Sequence, residues 1–127
     1  MLLLILFVLF YIVVENRNTK VTVEELVNNY SIDRQSADKN YLNKDIELTG
    51  KFKSFLQSAN GDNFIQMETL NDIMNLYFVI EDSSLLERTL LITSGSQITI
   101  FGKCLGLKED IFDPSLNSIY IKTNSIK

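Results

Sequence analysis

Three groups of carboxylates are the first candidates for chemistry: Glu24 with Glu25, Glu81 with Asp82, and Glu109 with Asp110 and Asp113. A calcium loop needs alternating oxygen ligands and a glycine at its turn, and KEDIFDPSLN, residues 108–117, lacks that pattern. Glycoside hydrolysis needs two acids facing each other across a cleft, and no spacing here establishes such a pair. The acids therefore read as solvated loop charge. The chain has no histidine, so Ser94, Ser96 and Thr99 have no near-neutral base to activate them. The single cysteine, Cys104, permits no internal disulfide, and its inward strand phase reads as a small buried thiol rather than a ligand or nucleophile. The expectation is no enzyme activity, no cofactor and no metal site.

What remains is a set of residues suited to binding. Lys51 and Lys53 fall on the outward face of one strand, and Tyr77, Phe101 and Tyr120 take the outward phases of three others. Single-stranded nucleic acid needs a positive groove and aromatic rings on which bases stack, so these five residues form a candidate ligand face. Asp45, Glu47 and Glu68 share the outward faces, however, and no basic run accompanies them. Residues 21–127 carry ten Lys or Arg against fifteen Asp or Glu, a net charge of −5 that disfavours a generic polyphosphate partner. The preferred reading covers the three aromatics with N-terminal helices, Leu26, Val27 and Tyr41 packing on them.

The elements that must position these residues are legible from periodicity. Thr22 with Glu25 forms a capping box, with Val21 at the staple position opposite Leu26. A short helix follows, with Val23, Leu26, Val27 and Tyr30 on one face. Asp33 caps a second, in which Ala37 and Tyr41 lie one turn apart. After Asn43 the period changes from 3.6 to 2. In DIELTGKFKSF, Ile46, Leu48 and Phe52 share the inward phase with Gly50 between them, which marks a bend or close backbone approach. Asn60-Gly61 supplies a turn. FIQMET places Ile65 and Met67 inward, and NLYFVIE places Leu76, Phe78 and Ile80 inward, with a turn at Asn71-Asp72 between them. A short helix over about Ser84 to Leu90, stopped by Gly95, precedes SQITIFGKCLG, with Ile98, Ile100, Gly102 and Cys104 in one phase. NSIYIKTNSI closes the chain with Ile119 and Ile121 inward.

The fold expected is mainly β: a five-stranded Greek-key barrel of the oligonucleotide/oligosaccharide-binding (OB) type, preceded by two short α-helices and an apolar N-terminal segment. At 127 residues, 46% of them hydrophobic, one domain with a real core is the default, assigned to residues 21–127. Before it stands MLLLILFVLFYIVV, roughly 21 Å if helical against a hydrocarbon core of about 30 Å. It lacks a leading positive segment and a small-residue cleavage pattern, and no cysteine near position 20 offers a lipoprotein processing site. Residues 1–20 are expected to be a membrane anchor or uncleaved signal with a short linker. Residues 1–14 would then contact the membrane, and the protein would be membrane-associated in the cell envelope, on either side.

The stretches VTVEELVNNYSIDRQSADKNYLNKDIELTGKFKSF and SGSQITIFGKCLGL resemble the tRNA_anti-like family. The shared features are the Leu26–Tyr30 helix, Ala37-Asp38-Lys39 with Tyr41, Lys44 through Thr49-Gly50, and Gly102-Lys103-Cys104 with Gly106. The resemblance covers about residues 21–126 and implies an OB fold, often behind an export signal or anchor, with no established catalytic residues. Members often carry further cysteines in the third and last strands; NLYFVIE and SIYIKTNSI have none. The leading expectation is a non-enzymatic, membrane-tethered binding or structural module for a protein or envelope component. The alternative is a single-stranded nucleic-acid-binding module.

Overall fold

A computed structural model of the protein describes residues 19–70 and 74–127. The chain enters as a short strand, β1 (Thr19–Thr22), whose buried Val21 lies beside Leu48 of the next strand in parallel register. Thr22 then caps α1 (Val23–Ile32), its hydroxyl accepting from the Glu25 amide at 3.1 Å. Val23, Leu26, Val27 and Tyr30 form the buried face of this helix. It ends where Asp33 turns extended, and the Asp33 carboxylate accepts from the Ser36 amide to start α2 (Arg34–Tyr41), which buries Ala37 and Tyr41.

Five strands form the barrel: β2 (Asp45–Gln57), β3 (Asn63–Met67), β4 (Leu76–Ile80), β5 (Gln97–Glu109) and β6 (Asn117–Ile126). Their order around the barrel is β2-β3-β4-β6-β5, and β5 returns to β2 to close it. Closure depends on the length of β2. Its first half, Asp45 to Lys51, pairs with β5, and its second half, Phe52 to Gln57, pairs with β3 across a register shift between Phe52 and Ser54. Gly50 sits at the changeover, where an added Cβ would collide with the side chains of Val23 and Met67. This is the close approach that the inward glycine predicts. The β4–β6 pair is parallel, the rest of the barrel antiparallel, and α3 (Ser83–Thr89) spans the crossing from β4 to β5.

The inward phases fill one core: Ile46, Leu48, Ile65, Met67, Leu76, Phe78, Ile100, Cys104, Ile119 and Ile121 are buried together with Leu26, Tyr30 and Ala37 of the helices. The helices thus join the barrel's own core. They do not cover Tyr77 and Tyr120, which belong to a separate cluster without helix residues, and the expected packing of Leu26, Val27 and Tyr41 on those two rings is corrected.

The expectation of a transmembrane helix or signal anchor, and of a membrane partner through residues 1–14, is corrected. Among the described residues no helix is long and apolar enough to cross a membrane. The longest, α1, has ten residues, about 15 Å of rise against roughly 30 Å of hydrocarbon, and one polar face. Residues 1–18, where the anchor was expected, and the turn at Asn71-Asp72 lie outside the described residues.

Candidate functional site

A second, smaller apolar cluster lies on the outer face of β3, β4 and β6. Phe64, Tyr77 and Tyr120 are buried there, with Leu56, Val79 and Leu105 packed against them. Tyr77 and Tyr120 are register partners across the parallel pair, their ring centroids 5.5 Å apart, and Phe64 meets both edge-on at 6.1 and 6.3 Å. The cover comes from the β5–β6 loop. Phe112 reaches over to 5.5 Å from Tyr77 and 5.6 Å from Phe64.

The loop is held by Asp110, which is only 1% exposed. Its Oδ2 accepts from the Ser118 hydroxyl at 2.6 Å, the Tyr77 hydroxyl at 2.9 Å and the Asn75 amide at 3.0 Å. Its Oδ1 accepts from the Phe112 and Asp113 backbone amides at 2.8 and 3.0 Å. Burial works to raise this carboxyl's pKa, but the bonds from Asn75, Ser118, the Phe112 amide and Tyr77 outweigh it and hold the group below its ordinary range. Burial, with the hydrogen bond to Asp110 and its charge, pushes the Tyr77 hydroxyl well above its usual value. The Tyr120 hydroxyl, also raised chiefly by burial, donates to the Glu109 carbonyl and accepts from the Ile111 amide. Reading Asp110 as solvated loop charge is therefore wrong: Asn75, Tyr77 and Ser118 from around β4 and β6 converge on it.

Beside this cluster is an open pocket of about 570 Å³. Phe64, Val79, Leu105 and Tyr120 make its apolar surface, while Asp62 of the β2–β3 loop and Lys108 to Ile111 and Pro114 of the β5–β6 region complete it. OB folds bind oligonucleotides and oligosaccharides on this part of the barrel, across the second and third barrel strands and between the first-to-second and fourth-to-fifth strand loops. The lining is short of positive charge, with Lys108 set against Asp62, Glu109 and Asp110.

The five residues of the expected ligand face are not brought together. Tyr77 and Tyr120 are adjacent but buried, Tyr77 to 2% exposure. Phe101 is half-buried farther along β5, opposite Glu47 and Ser125, whereas Tyr120 pairs with Gly106. Five residues of strand separate those two positions, about 17 Å. Lys51 and Lys53 line a different hollow, with Glu24, Glu68 and Leu70. Sequence reasoning missed Phe64, Phe112 and Asp110. Phe64 had a signal, since placing Ile65 and Met67 inward turns it outward beside the Asn60-Gly61 turn. Cys104 is fully buried 3.8 Å from the Tyr30 hydroxyl, and burial raises its thiol pKa, so it is not a ready nucleophile. Among the described residues no group of three or more His, Cys, Asp or Glu could hold a metal.

The model of the family described as tRNA_anti-like matches residues 2–115. The chain belongs to the tRNA_anti-like family. No curated protein matches it in sequence. Among solved structures, this tRNA_anti-like chain is similar to a candidate nucleic acid-binding lipoprotein from Klebsiella pneumoniae subsp. pneumoniae MGH 78578, at 16% identity and a TM-score of 0.59, over 85% of this chain and 92% of that one. It is also similar to a candidate aspartyl-tRNA synthetase from Leishmania major Friedlin, at 13% identity and a TM-score of 0.58, and to aspartyl-tRNA synthetase from Entamoeba histolytica, at 12% and 0.51. Each synthetase match takes in 87% of this chain but only 20% and 24% of the respective enzyme. At these identities the likeness is one of fold: an OB domain of the kind found in these proteins. Both synthetase matches are confined to that domain and leave most of each enzyme uncovered.

Proposed function

We propose that this chain is a non-enzymatic OB-fold binding domain that takes a single-stranded nucleic acid on the outer face of β3, β4 and β6. The observation that carries the reading is the open pocket between the β2–β3 and β5–β6 loops, its apolar wall made by Val79, Leu105 and the small exposed edges of the Phe64 and Tyr120 rings. A base can insert against that wall and present its edge to Asp62 or Glu109, which accept from exocyclic amino groups. Lys108 is the cation nearest to hand for a phosphate. The name of the Klebsiella relative supports the nucleic-acid reading, and the word lipoprotein in it supports a cell-envelope location. We read residues 21–127 as the binding domain, with β1 extending its edge to Thr19.

Few phosphate contacts mean a shallow salt dependence. With one or two neutralised phosphates, the slope of log affinity against log salt is about −0.7 to −1.4. Fluorescence anisotropy of labelled single-stranded RNA and DNA, titrated with the protein from low salt upward, tests the proposal. Saturable binding lost on replacing Phe64 with alanine, in a variant shown to fold, supports it; absence of binding at low salt overturns it. The acidic lining favours a second reading, a protein partner offering a basic segment, and competition by such a peptide against the oligonucleotide separates the two.

A further inference from the structure

The outer face carries more aromatic surface than the pocket uses. Phe64, Tyr77 and Tyr120 form one continuous group of rings, yet the pocket reaches only Phe64 and Tyr120. The approach to Tyr77 is filled by Phe112, which meets Tyr77 at 58° and Phe64 at 85°, the tilted and edge-on contacts that an inserted aromatic ligand would make. Phe112 itself remains 39% exposed, whereas Tyr77 beneath it is 2% exposed. We infer that Phe112 is a built-in occupant of a second ring position and sets the size of the site, withholding the Tyr77 ring from a base bound in the wild-type pocket. The inference rests on the nucleic-acid reading above and specifies how that site is limited.

The ring is separable from what anchors its loop. The Asp110 carboxylate receives the Phe112 backbone amide, and Ile111 and Glu109 are tied to the Tyr120 hydroxyl through backbone atoms. Truncating the Phe112 side chain therefore opens the second position while leaving those hydrogen bonds in place. Each base stacked on an aromatic surface is worth a substantial factor in affinity, so opening Tyr77 has a measurable consequence.

The test compares wild type, Phe112→Val and Phe112→Ala in the full chain, each checked for a cooperative thermal transition, by anisotropy with a mixed-sequence single-stranded hexanucleotide at low salt. The expected order of affinity is Ala, then Val, then wild type, with Phe112→Ala at least about fivefold tighter than wild type. If only the valine variant folds, a tighter affinity than wild type carries the same meaning. Weaker binding by the truncated variants overturns the inference, because Phe112 is then itself a stacking surface. Unchanged binding overturns it as well, because the second position is then not used. If wild type and every folded variant fail to bind, the nucleic-acid reading falls and this inference falls with it.

Discussion

Replacing Asp110 with alanine removes the acceptor on which five donors converge, and the cost can be estimated from their surroundings. Ser118 is fully buried and Tyr77 nearly so, and each hydroxyl would lose a charged partner at 2.6 and 2.9 Å. A buried donor left unsatisfied costs about 1–3 kcal/mol. The Asn75, Phe112 and Asp113 donors are only part-buried and can turn to water, so they add less. Relief of the carboxylate's own desolvation offsets part of the loss. The net expectation is a destabilisation of about 3–5 kcal/mol, a large share of the roughly 5–15 kcal/mol that holds a domain folded. Urea denaturation followed by circular dichroism reads this directly, as a lower midpoint at an unchanged slope. A loss below about 1 kcal/mol would mean that the network contributes no more than exposed polar contacts do.

The same carboxylate has a folded pKa below its ordinary value, so its stabilisation is fully present above the unfolded value of about 3.9 and is lost as pH falls through the lower folded value. The stability gap between wild type and Asp110→Asn should accordingly be widest near neutrality and narrow below pH 4 in urea melts; a gap constant with pH contradicts this. Gly50→Val drives a side chain into Val23 and Met67, and a loss of at least about 1–3 kcal/mol is expected, while an unchanged thermal midpoint would mean that this packing is absent. Cys104, buried and with its thiol pKa raised, should resist a disulfide reagent in the native protein and react once in denaturant. Rapid native labelling would contradict its burial.

The strand phases were readable because one buried face imposes a period of two, and Ile46, Leu48, Met67, Phe78 and Ile121 all point as that period requires. The two helix starts were readable for a similar local reason: Thr22 and Asp33 bond amides three residues ahead. Gly50 signalled a close approach, though not its partners. The candidate site was legible only in fragments. The period of two turns Tyr77 and Tyr120 outward, where they lie, but it points to α1 and α2 as their cover, because helices with apolar faces must pack somewhere. Those faces instead complete the barrel core, and a loop whose charges looked solvated provides the cover. Asp110 was unreadable for a physical reason: Asn75 and Tyr77 lie 35 and 33 residues away, so no local spacing encodes their convergence. Register shifts also interrupt the phase, after Phe52 and again between Cys104 and Gly106. The short β1, four residues long, carries too little pattern to be read before its pairing is seen.

Ligand binding on the outer face of β3, β4 and β6 is read residue by residue by amide chemical-shift mapping of the isotope-labelled full chain with a mixed-sequence single-stranded oligonucleotide. Saturable shifts grouped at Asp62 to Phe64, Val79, Leu105 to Ile111 and Tyr120 are expected. Shifts centred instead on Lys51, Lys53 and Phe101, or none at saturating oligonucleotide, would contradict binding on that face.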